Sequence, residues 1–150
     1  MSIENVERID GVAQYDLIVI GSGSGNTLIG PEWDDKKVAL IDGGIFGGTC
    51  LNVGCIPTKM YVYPATIAQK TREVKHLGVD AHVDAVHWAQ IRDRIFASRI
   101  DPIVEGGREW RAGLPNVDFY DQYARFVGSH TVELTDGTRL QGRQIVVAAG

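Results

Sequence analysis

The sequence is short of the features that usually assign a function at sight. Two of its 150 residues are cysteine, no cluster of Lys and Arg stands out, and there is no internal repeat or low-complexity tract. Without a basic cluster, and with a net charge of −4, it offers nothing to nucleic acid or an anionic lipid surface. Long apolar runs are missing as well. Leu17–Ile20 and Ile145–Ala149 are the longest, far below the ~20 residues that span a bilayer. The N-terminal MSIENVERIDG is polar with both charge signs, unlike a secretory signal, so a cytoplasmic protein is expected. His76, His82, His87 and His130 are scattered without metal-ligand spacing and read as ordinary surface or partly buried residues. What is there, 44% hydrophobic and 23% charged residues, is the composition of a soluble globular protein long enough for one domain with its own core.

Residues 1–14 read as a mobile leader. Tyr15–Ile20 is a compact apolar run suited to a strand buried on both faces of a parallel sheet, and it leads straight into Gly21-Ser22-Gly23-Ser24-Gly25-Asn26. A short helix should follow and end early at Gly30-Pro31. Val38–Asp42 reads as a second buried strand, which makes residues 15–42 a βαβ-like unit. Pro57 to about Leu77 reads as helix, with Ile67, Thr71, Val74 and Leu77 on one face and a kink at Pro64. A second helical region is expected over 84–112, interrupted at Asp101-Pro102. Short strands follow at Val117–Tyr120, Tyr123–Val127, Thr131–Leu134 and Thr138–Leu140, with Thr135-Asp136-Gly137 as a hairpin signal, and Gln144–Gly150 is a last buried strand. The pattern is α/β: a parallel sheet with helices plus a small β-meander.

Gly21-x-Gly23 at a strand end and before a helix is the context of a dinucleotide fingerprint. Gly21 permits the tight turn, and Gly23 lets backbone N–H groups approach a pyrophosphate. Asp42 lies 21 residues after Gly21, where an acid can accept hydrogen bonds from a ribose hydroxyl. Asn26 stands where the fingerprint wants Gly or Ala for close helix–strand packing. Alone, the motif fits a nucleotide site or a glycine turn in an ordinary α/β domain, and it does not separate NAD from FAD. Asp42 alone also fits a solvated acid at a strand end.

The two cysteines, Cys50 and Cys55, share the glycine-rich run Gly47–Lys59. Five helical steps would separate them by about 7.5 Å along the axis, whereas a disulfide holds its Cα atoms within about 4.4–6.8 Å. The segment therefore cannot be straight helix when oxidised, and Gly47, Gly48 and Gly54 supply the freedom to bend it. Pro57 suits a helix's first turn, which puts Cys55 at or just before the helix start, near the positive end of the dipole that favours a thiolate. A bond closing so small a loop adds little chain-entropy stabilisation and is better suited to opening and closing than to stapling. The alternatives are a metal site, for which further ligands are wanting, and two unpaired core thiols, for which the glycine-rich setting is poor.

GGTCLNVGCIPTK closely resembles the active-site segment of the FAD-dependent pyridine nucleotide–disulfide oxidoreductases, among them glutathione reductase, dihydrolipoamide dehydrogenase, mercuric reductase and mycothione reductase. Residues 21–26, the acid at 42 and the strand ending Ala148-Ala149-Gly150 fall in the family's order. Within the family, GSGSGN, the proline-broken segment after it, FGGTCLNVGCIPTKMYVY and Arg99–Ile103 are most similar to the mycothione reductase branch. The resemblance implies a Rossmann-like FAD-binding domain at residues 15–150. In it Gly21, Gly23, Ser24, Gly25, Asp42, Gly48, Thr49 and Lys59 contact FAD. It implies that NADH or NADPH reduces FAD, which passes two electrons to a Cys50–Cys55 disulfide. Cys50 is then the interchange thiol, Cys55 the thiolate nearer the flavin, and Lys59 a tuner of the flavin's reduction; a plain surface lysine is the alternative for the last.

The family also carries a nicotinamide-binding domain and a C-terminal dimerisation domain that supplies a histidine base. The expectation is therefore an N-terminal, incomplete piece of a longer homodimeric enzyme, unable to complete a cycle alone. The expected substrate is a low-molecular-weight disulfide, mycothiol disulfide. Dihydrolipoamide dehydrogenase is the alternative enzyme, and a non-catalytic nucleotide-binding module the alternative of another class.

Overall fold

The computed structural model describes residues 9–150, so most of the expected leader (residues 1–8) lies outside the described residues. The elements are β1 (Ala13–Ile20), β2 (Val38–Ile41), α1 (Gly48–Asn52), α2 (Cys55–Glu73), α3 (Trp88–Ile95), α4 (Asp101–Ala112), β3 (Val117–Tyr120), β4 (Ala124–Gly128), β5 (Thr131–Leu134) and β6 (Arg139–Val147). The chain divides into two compact units, one running up to Gly48 and resuming at Val104–Gly150, the other Thr49–Ile103.

The first unit holds a six-stranded sheet in the order β3-β2-β1-β6-β5-β4. β3, β2, β1 and β6 run parallel, with Ile18 facing Ala39 on one side and Ile145 on the other. β4, β5 and β6 form the antiparallel meander. The apolar runs explain the arrangement, because a central parallel strand is covered on both faces and needs apolar side chains on both. Ile18, Ala39, Ile41, Val132 and Leu140 pack on one face of the sheet; Leu17, Val19, Val38, Leu40 and Phe46 pack on the other. Burial of each large aliphatic contributes about 1.5–3 kcal/mol. The hairpin signal holds: Gly137 has φ +88° and its N–H donates to the Leu134 carbonyl at 3.0 Å.

Several expectations change. β1 begins at Ala13, two residues earlier than expected, and Val12 N–H donates to the Ile9 carbonyl in a turn before it, inside the expected leader. The two strands expected at 138–140 and 144–150 are one, β6. Gly142 lets it run through, since a Cβ there would lie 2.9 Å from Ile18 Cγ1. The helix after the glycine turn is a single 3₁₀ turn, Ser24–Leu28.

In the second unit, α2 continues through Pro64 to Glu73 and ends in a 3₁₀ turn at Val74–Leu77. The expected apolar face is not a core face: Ile67 is 50% and Leu77 68% exposed. Residues 79–87 have no regular structure, so the second helical region begins at Trp88 and not at 84. The interruption expected at Asp101-Pro102 is a change of helix type, with α4 beginning at Asp101. A π-helical turn at Phe96–Ile100 precedes α4, and Pro102 falls in the first turn of α4, where its missing N–H costs little.

Candidate functional site

The candidate residues fall into two groups, one in each unit. In the sheet unit, β1 delivers the chain to Gly21, whose φ of +110° is a backbone conformation open to glycine; a Cβ there would meet the Ala148 carbonyl oxygen at 2.1 Å. Gly23 and Gly48 (φ +66°) let two backbone turns touch, since a Cβ on Gly48 would lie 2.7 Å from the Gly23 Cα. Gly25 packs on Ala148, where a Cβ would come within 2.2 Å of the Ala148 Cβ. Close approach thus falls to Gly25, and the Asn at 26 obstructs nothing: its Oδ1 accepts from Arg111 Nε at 2.8 Å. Ser24 is exposed at the start of the 3₁₀ turn, and its carbonyl accepts from Thr27 Oγ1 at 2.7 Å.

Asp42, at the end of β2, is tied into the same loop system. Its Oδ2 accepts from Ser22 N–H at 2.7 Å and from the Ser22 hydroxyl, and its Oδ1 accepts from Gly44 N–H at 2.8 Å. Ser22 is 2% exposed, and its Oγ also accepts from Gly47 N–H at 2.8 Å. One hydroxyl therefore fastens the fingerprint turn, the end of β2 and the loop before Gly48. An ionised carboxylate has about four acceptor sites, so Asp42 keeps capacity for a ribose hydroxyl. The bare backbone of Gly21, Gly23 and Gly48, with a half-buried acid fixed beside Ser22, fits a dinucleotide.

In the helical unit, α1 carries Thr49 and Cys50, and Cys55 is the first residue of α2. The break falls at Val53-Gly54, where Val53 N–H closes on the Thr49 carbonyl at 2.9 Å and Thr58 N–H on the Gly54 carbonyl at 3.2 Å. Gly54 is needed there, because a Cβ would lie 2.8 Å from the Thr49 carbonyl oxygen and 3.1 Å from the Cys50 Cα. The interrupted helix that the spacing argument requires is present, and Pro57 sits buried in the first turn of α2. Both cysteines are free thiols and exposed, so they are not core residues. Their sulfurs are hydrogen-bonded to each other. That bond, followed by burial and by repulsion from Cys55, pushes the Cys50 thiol above its ordinary range. Lys59 lies one helical turn beyond Cys55, on the same face of α2, and is exposed.

Among the described residues no group of three or more His, Cys, Asp or Glu could hold a metal, and no helix is long and apolar enough to cross a membrane. Residues 15–150 match the family described as pyridine nucleotide-disulphide oxidoreductase. The chain belongs to this family. It is similar to the mycothione reductase of Mycobacterium tuberculosis (strain CDC 1551 / Oshkosh), at 43% identity over 141 residues that cover 91% of the chain and 30% of the relative. It is also similar to the dihydrolipoyl dehydrogenase of Haloferax volcanii, at 30% identity over 134 residues covering 87% of the chain and 27% of the relative. Among solved structures, a Cu(II) complex of the HOCl-induced flavoprotein disulfide reductase RclA from Escherichia coli superposes with a TM-score of 0.68 at 26% identity, covering 89% of this chain and 27% of that one. The fold is therefore the Rossmann-like α/β fold of the flavoprotein disulfide reductases, and the family is one of FAD- and NAD(P)H-dependent disulfide oxidoreductases. The chain spans about 30% of the length of the relatives it matches.

Sequence reasoning missed Ser22 and Arg111. Ser22 stood as an unremarked x in the fingerprint, and only its position opposite an acid 20 residues on could have marked it. Arg111 is tied to Asn26 across 85 residues, a separation no local pattern reports.

Proposed function

We propose that residues 15–150 are the FAD-binding, dithiol-bearing part of an NAD(P)H-dependent disulfide reductase whose substrate is mycothione, the disulfide of mycothiol. One observation carries the redox role: Cys50 and Cys55 are exposed, hydrogen-bonded to each other and held across a helix break that a disulfide needs. The 43% identity to a mycothione reductase favours that substrate over lipoamide, which the 30% identical dihydrolipoyl dehydrogenase brings in as the runner-up.

In this reading Gly21, Gly23, Ser24, Gly25, Asp42, Gly48, Thr49 and Lys59 hold the cofactor, and the glycines admit its phosphates to bare backbone. FAD, when bound, supplies the electron pair, drawn from NAD(P)H, that reopens the Cys50–Cys55 disulfide. Cys50 must first lose the proton that Cys55 helps it keep. As thiolate it attacks one sulfur of the substrate disulfide; that S–S bond breaks, a mixed disulfide forms on Cys50 and one thiolate leaves. Cys55 then attacks the Cys50 sulfur, releases the second thiolate and closes Cys50–Cys55. The substrate has gained two electrons, the cysteine pair has lost two, and two protons complete the product thiols. The full-length protein works as a cytoplasmic homodimer with its nicotinamide site outside residues 15–150, so this stretch alone does not turn over.

The test assays the full-length protein with mycothione and with lipoamide, alongside Cys50→Ser and Cys55→Ser. Mycothione is the faster substrate, and either serine variant keeps its yellow flavin while losing reductase activity by about a thousandfold or more. Full activity in both variants would refute the redox role, faster lipoamide turnover would overturn the substrate, and NADPH-driven turnover by residues 1–150 alone would overturn the assignment of parts.

A further inference from the structure

Among the described residues Arg111 is the only charged side chain that is buried, at 5% exposure. No carboxylate among them pairs with it. Its Nε donates to Asn26 Oδ1 at 2.8 Å, its Nη2 to the Asn26 carbonyl at 2.8 Å and its Nη1 to the Ile29 carbonyl at 2.9 Å, while the guanidinium lies 4.4 Å from the Trp110 ring centre. A buried cation without a counter-ion is expensive and needs a reason. Its partners supply one. They are acceptors at the C-terminal end of the Ser24–Leu28 turn, the segment that follows directly from Gly21–Gly25.

That turn is five residues of 3₁₀ helix, too short to lend a long helix's dipole to a phosphate. We propose that Arg111 makes good this loss. Its guanidinium clamps the 3₁₀ turn through Asn26 and sets an unneutralised positive charge behind the phosphate-binding backbone, which makes Arg111 a positioning residue for the FAD pyrophosphate. The distance suits the role. A 3₁₀ turn rises about 2 Å per residue, and Asn26 N–H donates to the Gly23 carbonyl at 3.0 Å, so the charge stands within about 10 Å of the glycine amides. A unit charge at that range, in surroundings of effective dielectric about 20, changes the affinity for an anion by about tenfold. Burial lowers the Arg111 pKa without a carboxylate to restore it, in keeping with a charge that an incoming anion would relieve.

The inference rests on FAD binding at Gly21–Gly25, and the test separates the two. In the full-length protein stripped of flavin, the FAD dissociation constant and the thermal midpoint without flavin are measured for wild type, Arg111→Met and Asn26→Asp. Arg111→Met loses the clamp and the charge, so affinity falls by tenfold or more and the midpoint drops. Asn26→Asp keeps the acceptor shape but gives the guanidinium a carboxylate. Affinity then falls by about tenfold while the midpoint stays or rises, a divergence no purely structural role produces. Asn26→Asp binding FAD as tightly as wild type, or losing affinity and midpoint together, would overturn the role of Arg111 alone. A wild-type protein that takes up no FAD would overturn both proposals.

Discussion

In the sheet unit Ile18, Val19, Ala39 and Ile41 are wholly buried, and the fingerprint turn is fastened by a buried hydroxyl, a buried guanidinium and close glycine contacts with Ala148 and between Gly23 and Gly48. In residues 49–103 only Pro57, Ile95 and Ile100 are buried, while Val62, Tyr63, Ile67, Leu77, Val86 and Trp88 stand exposed. The difference follows the chemistry each unit is suited to. On the proposed reading, a backbone cradle for phosphates works by holding N–H groups still, which suits a sheet whose strands are covered on both faces. On the same reading, a dithiol that meets substrate must be reached and its sulfurs must move between bonded and non-bonded positions, which suits a helical unit with little core. The cysteine turn is nonetheless a tight place in the helical unit, where Gly54 leaves no room for a Cβ.

The contrast predicts unequal costs of equal truncations. Ile18→Ala removes a side chain with no exposed surface, so it should destabilise the flavin-free protein by about 2–5 kcal/mol. Ile67→Ala removes one that is half exposed, at under about 1 kcal/mol. Denaturant unfolding of the two variants measures both. Equal losses would mean that the helical unit has a core after all and would break the comparison.

Most of the sheet was legible because its signals are local. Tyr15–Ile20 and Val38–Ile41 are apolar on both faces, and Asp136-Gly137 closes a tight turn whatever lies elsewhere. The cysteine turn was legible for the same reason: the helix break is written in Gly54 and Pro57, three residues apart. What escaped depends on distant partners. Asn26 stands where the fingerprint wants a small residue, and what it does instead shows only with Arg111 opposite it, while β6 runs unbroken because Ile18 fills the space of the side chain that Gly142 lacks. The apolar stripe of α2 had the right period for a buried face, but period reports which residues share a face and not whether anything covers it. At the N-terminal end of β1, Tyr15 donates to Asp118 Oδ2 at 2.6 Å and meets the Tyr120 hydroxyl at 2.6 Å, a network no strand pattern announces.

A smaller effect is expected at the tight place in the helical unit. Gly54→Ala sets a Cβ against the Thr49 carbonyl and the Cys50 Cα, both backbone, so relief requires the Cys50 turn to move. The cost should be about 1–3 kcal/mol, as for overpacking elsewhere. Because the movement carries Cys50 away from Cys55, the disulfide should also form less readily in a glutathione redox titration. A variant with unchanged stability and an unchanged redox midpoint would show that the turn is looser than its contacts, and the contrast within the helical unit would be lost.

The smallest effect lies in the titration of single groups, where the two units again differ in cause. The Tyr15 hydroxyl of the sheet unit is pushed far above its ordinary range, first by burial and then by Asp118 and Tyr120. The Cys50 thiol is pushed up first by the hydrogen bond that its own S–H makes to Cys55. The sign follows directly. A raised thiol pKa leaves less thiolate at neutral pH, so Cys50 should react slowly with iodoacetamide there and faster as the pH climbs. Replacing Cys55 by Ala removes the leading cause, so the Cys50 pKa should fall back toward the range of an unperturbed thiol. The alkylation profile of Cys50 in Cys55→Ala should therefore move to lower pH, with a faster rate than in the reduced wild type at any pH below the wild-type midpoint. Coincident profiles would mean that residual burial, and not the partner sulfur, governs Cys50, as burial governs Tyr15 in the sheet unit.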